Sequence, residues 1–293
     1  MPYAVLFRCF WFALSLPLLA ACASGMPAAQ QVGEQAEARA LLERSAQAHG
    51  LAGFRALRDI SVSYEGSWYS LVQRLQPVLI DAQFRKASEE RLILGNSSAI
   101  GQRHSGPGGS KQVVRGPSSI EVVYNDRPSS DRDTLAAAAL VADAYQMFLL
   151  GPLHFLTGNT TLELAGTDQV EGRNCDLLLA VRRPGHGLSA EDRYLLFIDR
   201  DDGLLRRVRF TMEGLESTQG AIVEVDFFDH REIAGVRWPT RFHERLRKPI
   251  PLLPVHDWQL TGLDVNRGFA RTDLGGSTFA GSAAAPAAPL PPR

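Results

Sequence analysis

The chain has few cysteines, no excess of either charge and few long apolar runs. Its 293 residues include only three cysteines, so a disulfide framework is excluded. Cys175 precedes an apolar run and is predicted to be a buried, unreactive thiol. Lysine and arginine together number 31, and aspartate and glutamate together number 32. This balance leaves no basic excess for nucleic acid, so we expect no nucleic-acid partner.

The sequence also lacks the common catalytic and metal-binding motifs. It contains no Gly-x-Ser-x-Gly, and the glycine-rich stretch 106–110 lacks the ending of a phosphate loop. His230, His243 and His256 recur at intervals of 13 residues, and the last two precede an acid. Neighbours along a strand point to opposite faces, so these pairs do not fit a metal site. We expect no metal, no cofactor and no enzyme activity, and keep a His/carboxylate hydrolase as a lesser alternative.

The N-terminus combines positive charge, a short apolar run and a cysteine behind small residues. Arg8 is followed by the apolar stretch 9–19, which is too short to span a bilayer. Leu19-Ala20-Ala21-Cys22 follows and resembles the lipobox of bacterial lipoproteins. The resemblance implies that residues 1–21 are a lipoprotein signal peptide and that acylated Cys22 anchors the mature chain to a membrane. An ordinary signal peptide with a chance cysteine is the alternative.

The rest of the chain divides into a tether, one domain and a tail. Residues 22–33 are small and polar and are predicted to be a flexible tether, and the Ala/Pro-rich stretch 271–293 is predicted to be a disordered tail. The domain spans 34–270 and contains no further run of about 18 apolar residues. Two helices are predicted, over 34–49 and over 135–150, the second stopped by Gly151-Pro152.

Alternating apolar and polar residues elsewhere in the domain predict roughly 10–12 strands. In the stretch 204–212 Leu204, Val208 and Phe210 alternate with arginines, and similar patterns follow. The strands are joined by hairpin turns and not by helical crossovers, which excludes a doubly wound fold. We predict a mainly β fold of the α+β class with one apolar sheet face.

The order of elements and three local phrases resemble the LolA/LolB-like periplasmic proteins. The phrases are 194–199, 203–205 and 233–239, which read YLLFID, GLL and IAGVRWP. The resemblance implies a strongly curved antiparallel sheet that forms a half-open β-barrel covered by two or three helices. It also implies a hydrophobic cavity for acyl chains and, in the outer-membrane member, an apolar protruding loop.

Large side chains on the apolar sheet face and on the second helix are the candidates for lining such a cavity. These are Trp68, Phe148, Val208, Phe210, Val225, Phe227 and Trp258. Ile250, Leu252 and Leu253 lie between prolines and are the candidate apolar loop, and the stretch 75–80 is similar. The alternative is that these loop side chains fold back onto the barrel rim.

These observations together predict a non-catalytic, membrane-anchored lipoprotein that faces the periplasm. Its expected partners are the membrane, through Cys22, and a lipid or acylated protein held in the cavity. Because Ala23 and not aspartate follows the cysteine, resemblance to lipoprotein sorting signals favours the outer membrane. A structural lipoprotein with a solid interior and an outer docking surface is the main alternative.

Overall fold

The computed structural model describes residues 25–28, 35–95 and 98–276. The predicted signal peptide, Cys22 and residues 277–293 of the tail lie outside the described residues. The membrane anchor therefore stays a prediction from the sequence.

A single antiparallel sheet of 13 strands dominates the described residues, and two further strands form a separate ribbon. The strands are β1 Asp59–Trp68, β2 Ala87–Ile93, β3 Ala99–Gly106, β4 Gly109–Arg115, β5 Ile120–Tyr124, β6 Arg127–Pro128, β7 Thr160–Val170, β8 Arg173–Arg182, β9 Asp192–Asp199, β10 Leu205–Thr211, β11 Ile222–Phe228, β12 Arg231–Ile233, β13 Val236–Trp238, β14 Arg241–Lys248 and β15 Leu253–Val265. Their order in the sheet is β6-β5-β4-β3-β2-β1-β15-β14-β11-β10-β9-β8-β7.

The sheet consists of two meanders joined where the first strand pairs with the last. β1 pairs antiparallel with β15, from Ile60 opposite Val265 to Trp68 opposite His256. The end strands β6 and β7 are not neighbours, so the sheet does not close into a barrel. The predicted class, a mainly β chain with an open, curved antiparallel sheet and covering helices, is confirmed.

In the part of the chain that the structure describes, five α-helices accompany the sheet. They are α1 Ala36–Ala48, α2 Leu51–Arg55, α3 Ser70–Leu75, α4 Pro77–Ile80 and α5 Arg132–Leu150. Asp131 caps α5 by accepting a hydrogen bond from the Thr134 backbone amide at 2.8 Å. By length and apolar composition the segment Arg132–Leu156 could cross a membrane, contrary to our expectation. Its most apolar window is 78% buried in the protein, so it packs as a core helix.

The segment between β1 and β2 differs from the prediction. The stretch 75–80 was expected as a loop, but it lies in α3 and α4, with Pro77 at the first helical position of α4. Proline suits that position because the missing amide has no helical partner there. These two short helices cover one end of the sheet next to α5.

Strands β8 and β9 of the second meander are largely buried on both faces of the sheet. Leu178 and Leu196 face the main core with α5, whereas Leu177 and Phe197 belong to a separate apolar cluster on the outer face. Cys175 lies in that outer cluster with no exposed surface. Burial, with a smaller effect of a nearby aspartate, raises the pKa of its thiol to about 11, so the thiol is protonated at neutral pH.

The outer face of β10, β11 and β14 carries a buried network of ion pairs. Glu224 accepts hydrogen bonds from Arg209 at 2.7 Å and from Arg245 at 3.1 Å, and Arg245 also lies 2.7 Å from Asp226. Arg207 adds a hydrogen bond to Asp226. The sequence pattern predicted a solvated face here. Neutralisation across strands explains how carboxylates such as Glu224 are buried.

Parts of the predicted tether and tail contact the domain. Arg209 donates a hydrogen bond to the carbonyl oxygen of Gly25 at 3.2 Å, and Arg193 donates one to that of Pro27 at 3.1 Å. Met26 between them packs on the outer apolar cluster. At the other end, Leu274 is fully buried. The ordered domain therefore extends beyond residue 270, and residues 25–28 of the tether are held against the sheet.

Candidate functional site

A cavity of about 550 Å³ lies between the inner face of the sheet, α5, and the helices α3 and α4. Its lining includes the exposed side chains of Leu75 and Ile250, so the cavity reaches the protein surface. Its size lies within the range of roughly 300–1,000 Å³ typical of small-molecule sites. Most of its wall is apolar, formed for example by Leu140, Val141 and Val223.

The cavity candidates from the sequence separate into two groups. Trp68, Phe148 and Phe210 line the cavity. The other four, Val208, Val225, Phe227 and Trp258, are buried in the packed core and do not line it. Residue alternation fixes which face of the sheet a side chain occupies, but not how far along the strand the covering helix reaches. The core residues lie on the correct face and beyond the end of the cavity.

The two proline-containing apolar stretches, 75–80 and 249–254, meet at the mouth of this cavity. Ile250 and Leu253 line it from one side, and Leu75 and Leu79 line it from the other. Leu252 does not line the cavity and is 62% exposed at the adjacent surface. Both interpretations of the loop therefore apply to parts of it, because some side chains fold onto the rim and others face solvent.

Sequence reasoning missed a buried cation in the cavity wall. The Arg85 side chain is 6% exposed, and its guanidinium carbon lies 4.6 Å from the centre of the Trp68 ring and 5.5 Å from that of Tyr145. Its Nη1 donates a hydrogen bond to the carbonyl oxygen of Leu79 at 3.0 Å. Arg85 follows a turn after α4, and no local pattern signals its burial.

Glu244 is the acidic residue of the same wall. Burial raises the pKa of its carboxyl from 4.5 to about 7, and the positive charge of Arg85 opposes this effect. A sequence signal for Glu244 did exist, since it lies two residues from the inward-facing Phe242 on β14. By alternation, an acid at that position has to face the interior.

A polar layer lies behind Arg85, at the inner side of the sheet. Glu90 is fully buried and accepts a hydrogen bond from Gln102 at 2.7 Å. Burial raises the pKa of Glu90 to about 8, opposed by this hydrogen bond and by Arg85, so the carboxyl is mainly protonated at pH 7. Asp81 accepts hydrogen bonds from Lys111 at 2.7 Å and from Tyr124 at 2.6 Å.

Aromatic rings form a stacked column that begins at Arg85 and runs into the core. Trp68 stacks on His256 at 3.8 Å between ring centres, His256 on Trp258 at 4.6 Å, and Trp258 on Phe242 at 4.8 Å. The angles between successive ring planes are 5°, 13° and 5°. The column fixes the position of Trp68, on which the guanidinium of Arg85 rests.

The three histidines of the hydrolase alternative occupy separate places. His256 lies on the inner face, with its Nδ1 3.1 Å from the Tyr145 hydroxyl. His243 is hydrogen-bonded to Asp257, which alternates with His256 and so lies on the outer face. His230 contacts the ring of His49. In the part of the chain that the structure describes, no cluster of three or more metal-ligating side chains is found.

The buried titratable groups predict a stability maximum near pH 6.5. Burial lowers the pKa of six histidines, in His49 and His186 to about 3, so their contribution is complete above 6.5 and is lost as the pH falls. The raised pKa of Glu90 has the opposite sign: its contribution is complete below 4.5 and is lost as the pH rises to about 8. Urea unfolding at pH 5, 6.5 and 8 measures both sides.

Glu90→Gln is the control for this profile. It should remove much of the loss above pH 6.5 and leave the acid side unchanged, because the histidines are untouched. A free energy of unfolding that does not vary between pH 5 and 8 would contradict the buried, neutral state of these groups.

Comparison with known proteins identifies the type of fold. No protein-family model matches the sequence, and no curated protein matches it. A DUF1329 family protein from Desulfovibrio piger has a similar structure, with 12% identity, a TM-score of 0.52, and coverage of 83% of this chain and 99% of that one. A LolA superfamily protein from Nitrosomonas europaea has 11% identity, a TM-score of 0.51, and coverage of 84% and 99%. The chain therefore has the LolA-like fold that the sequence resemblance implied.

Proposed function

We propose that the protein binds the hydrocarbon chain of a lipid or of an acylated protein in the cavity between the sheet and α5, without catalysing a reaction. The observation that carries this proposal is the cavity itself, about 550 Å³ in volume, apolar over most of its wall and open at one end. The alternative of a structural lipoprotein predicts a solid interior, and it does not account for this cavity. The separate placement of the three histidines gives the hydrolase alternative no support.

The energetics favour an aliphatic ligand. Burying a methylene group contributes about 0.8 kcal/mol, so eight buried methylenes contribute about 6 kcal/mol before the cost of ordering the chain. The exposed apolar side chains at the mouth, among them Leu75, Ile250 and Leu252, extend the apolar path to the surface. A chain that enters from a membrane or from another carrier would thus stay in contact with apolar groups.

The anchor and the compartment are part of the same proposal. Acylation of Cys22 would hold the domain at a membrane surface of the bacterial envelope, with the outer membrane, facing the periplasm, as the proposed site. The lipobox-like sequence Leu19-Ala20-Ala21-Cys22 supports this proposal.

Filling the cavity tests the proposal. Val141 of α5 lines the cavity and is half-buried, so Val141→Trp should occupy volume that a lipid needs. We expect binding of a fluorescent fatty acid to weaken at least about tenfold, because excluding two methylenes already costs about 1.6 kcal/mol. Native mass spectrometry of the purified domain should show copurified lipid in the wild type and less in the variant.

Val78→Trp is the matched control. Val78 is 43% exposed on α4 and does not line the cavity, so the same substitution there should leave binding unchanged. Phe227→Trp is a poorer test, since Phe227 packs against Phe242 in the core, 5.8 Å between ring centres. Absence of acyl-ligand binding in the wild type, with no lipid copurified, would overturn the proposed function.

A further inference from the structure

The polar end of the cavity points to the kind of lipid that it selects. We propose that the ligand is an amphiphile with an anionic head group, and that this head group lies inside the cavity against Arg85 while the hydrocarbon chain extends toward the mouth. The inference rests on the proposed function and adds the ligand's charge and its orientation.

Arg85 is a buried cation whose hydrogen-bonding capacity is mostly unused. A guanidinium group has five N–H donors, and Leu79 accepts the hydrogen bond described above. Trp68 and Tyr145 lie against the guanidinium through their rings, and the Tyr145 hydroxyl also accepts a hydrogen bond from Arg85. These partners are uncharged and do not replace an anionic acceptor. Among the described residues, no carboxylate oxygen lies within 4.0 Å of this guanidinium.

The surrounding charges leave this cation poorly compensated. Seven side chains are close enough for Arg85 to influence their titration: Glu90, His104, Lys111, Tyr124, Tyr145, Glu244 and His256. Both glutamates have raised pKa values, so neither is a full negative charge at neutral pH, and Lys111 is already paired with Asp81. A buried charge without a partner of opposite charge is costly. A carboxylate or phosphate on the ligand would supply that partner through two parallel N–H donors.

The depth of the charged groups gives the orientation. Arg85 is 6% exposed, whereas Leu75 and Ile250 at the mouth are 51% and 43% exposed. Lys248 also lines the cavity, but on its exposed side. An anionic group bound at Arg85 is therefore the inner end of the ligand. Glu244, when protonated, can donate a further hydrogen bond to it.

Twelve-carbon probes below their micelle concentrations test this inference. Dodecanoate and dodecyl phosphate should bind the wild type about tenfold more tightly than dodecanol, as expected for a charge-assisted hydrogen bond. Arg85→Met should abolish this preference by lowering the affinity for both anionic probes about tenfold, toward that for dodecanol. Lys248→Met, which removes the cation at the mouth, should retain the preference. The two anionic probes also distinguish a fatty-acid carboxylate from a phospholipid phosphate as the natural head group.

A second variant keeps the inference testable if Arg85→Met does not fold. With dodecanesulfonate, whose charge is constant, wild-type affinity should fall between pH 6 and pH 8 as Glu244 ionises beside Arg85, and Glu244→Gln should remove most of this fall. Equal binding of dodecanol and the anionic probes by the wild type would overturn the inference and leave the proposed function intact. Loss of the preference in Lys248→Met alone would place the head group at the mouth and also overturn it. Failure of all probes to bind would instead contradict the proposed function.

Discussion

Replacing Trp258 by alanine is expected to lower the free energy of unfolding by about 3–5 kcal/mol, the usual cost of removing a large buried aromatic side chain. Trp258 is 3% exposed and lies in the middle of the stacked column, between His256 and Phe242. It also contacts the ring of Tyr145 on α5, 5.5 Å between centres. Its removal would leave a void where the sheet and the covering helix meet. Urea unfolding followed by circular dichroism measures the change.

Trp68→Ala is the informative comparison for Trp258→Ala. Trp68 lies at the open end of the same column, is half-buried and lines the cavity. Its loss should cost less stability, because solvent or ligand can occupy the space, but it should weaken ligand binding by removing the ring beneath Arg85. Equal losses of stability in the two variants would contradict the assignment of Trp258 to the core and of Trp68 to the cavity wall.

Strand alternation alone could not separate the residues that line the cavity from those that pack in the core. Val208 and Phe210 lie two residues apart on β10, and both face inward. Phe210 lines the cavity and Val208 does not, because α3, α4 and α5 leave space over only one end of the sheet. That boundary depends on how helices distant in sequence pack, which periodicity does not encode.

The polar end of the cavity was less accessible to sequence reasoning than its apolar wall. Glu244 could be placed inside by its position two residues after Phe242, but Arg85 follows a turn and belongs to no regular element. The rings that contact Arg85 belong to Trp68 on β1 and to Tyr145 on α5. Tyr145 lies 60 positions after Arg85 in the chain. Burial of a cation by such long-range contacts leaves no local pattern. Only the assembled fold brings the two charged groups into one cavity.

The outer face of the sheet could be partly predicted. The nearly continuous apolar stretch 194–198 in β9 is typical of a strand buried on both faces. No sequence pattern indicates that the tether covers part of that face. Arg193 and Arg209 hold the tether by donating hydrogen bonds to backbone carbonyl groups of residues 25–28. Because every residue has a backbone carbonyl group, the sequence of the tether carries no signal of this contact.

Cys22→Ser is expected to abolish membrane anchoring completely. The wild type, expressed in a bacterium with labelled palmitate, should incorporate label and sediment with the membranes, whereas the variant should do neither. A single acyl chain binds a membrane only marginally, whereas two or more chains bind it stably. The lipoprotein modification that the lipobox implies gives stable binding, so its loss in Cys22→Ser should leave the chain unanchored and not partly anchored.

The other two cysteines provide the controls. Cys9→Ser changes a cysteine inside the predicted signal peptide, so label and sedimentation should match the wild type. Cys175 cannot substitute as an acylation site, because it is fully buried and its thiol has a raised pKa. Gly25 is bound to Arg209, and three residues span at most about 11 Å, so acylated Cys22 would bring the outer face of β10 close to the bilayer. Equal label in Cys22→Ser and wild type would contradict the lipoprotein assignment and this orientation together.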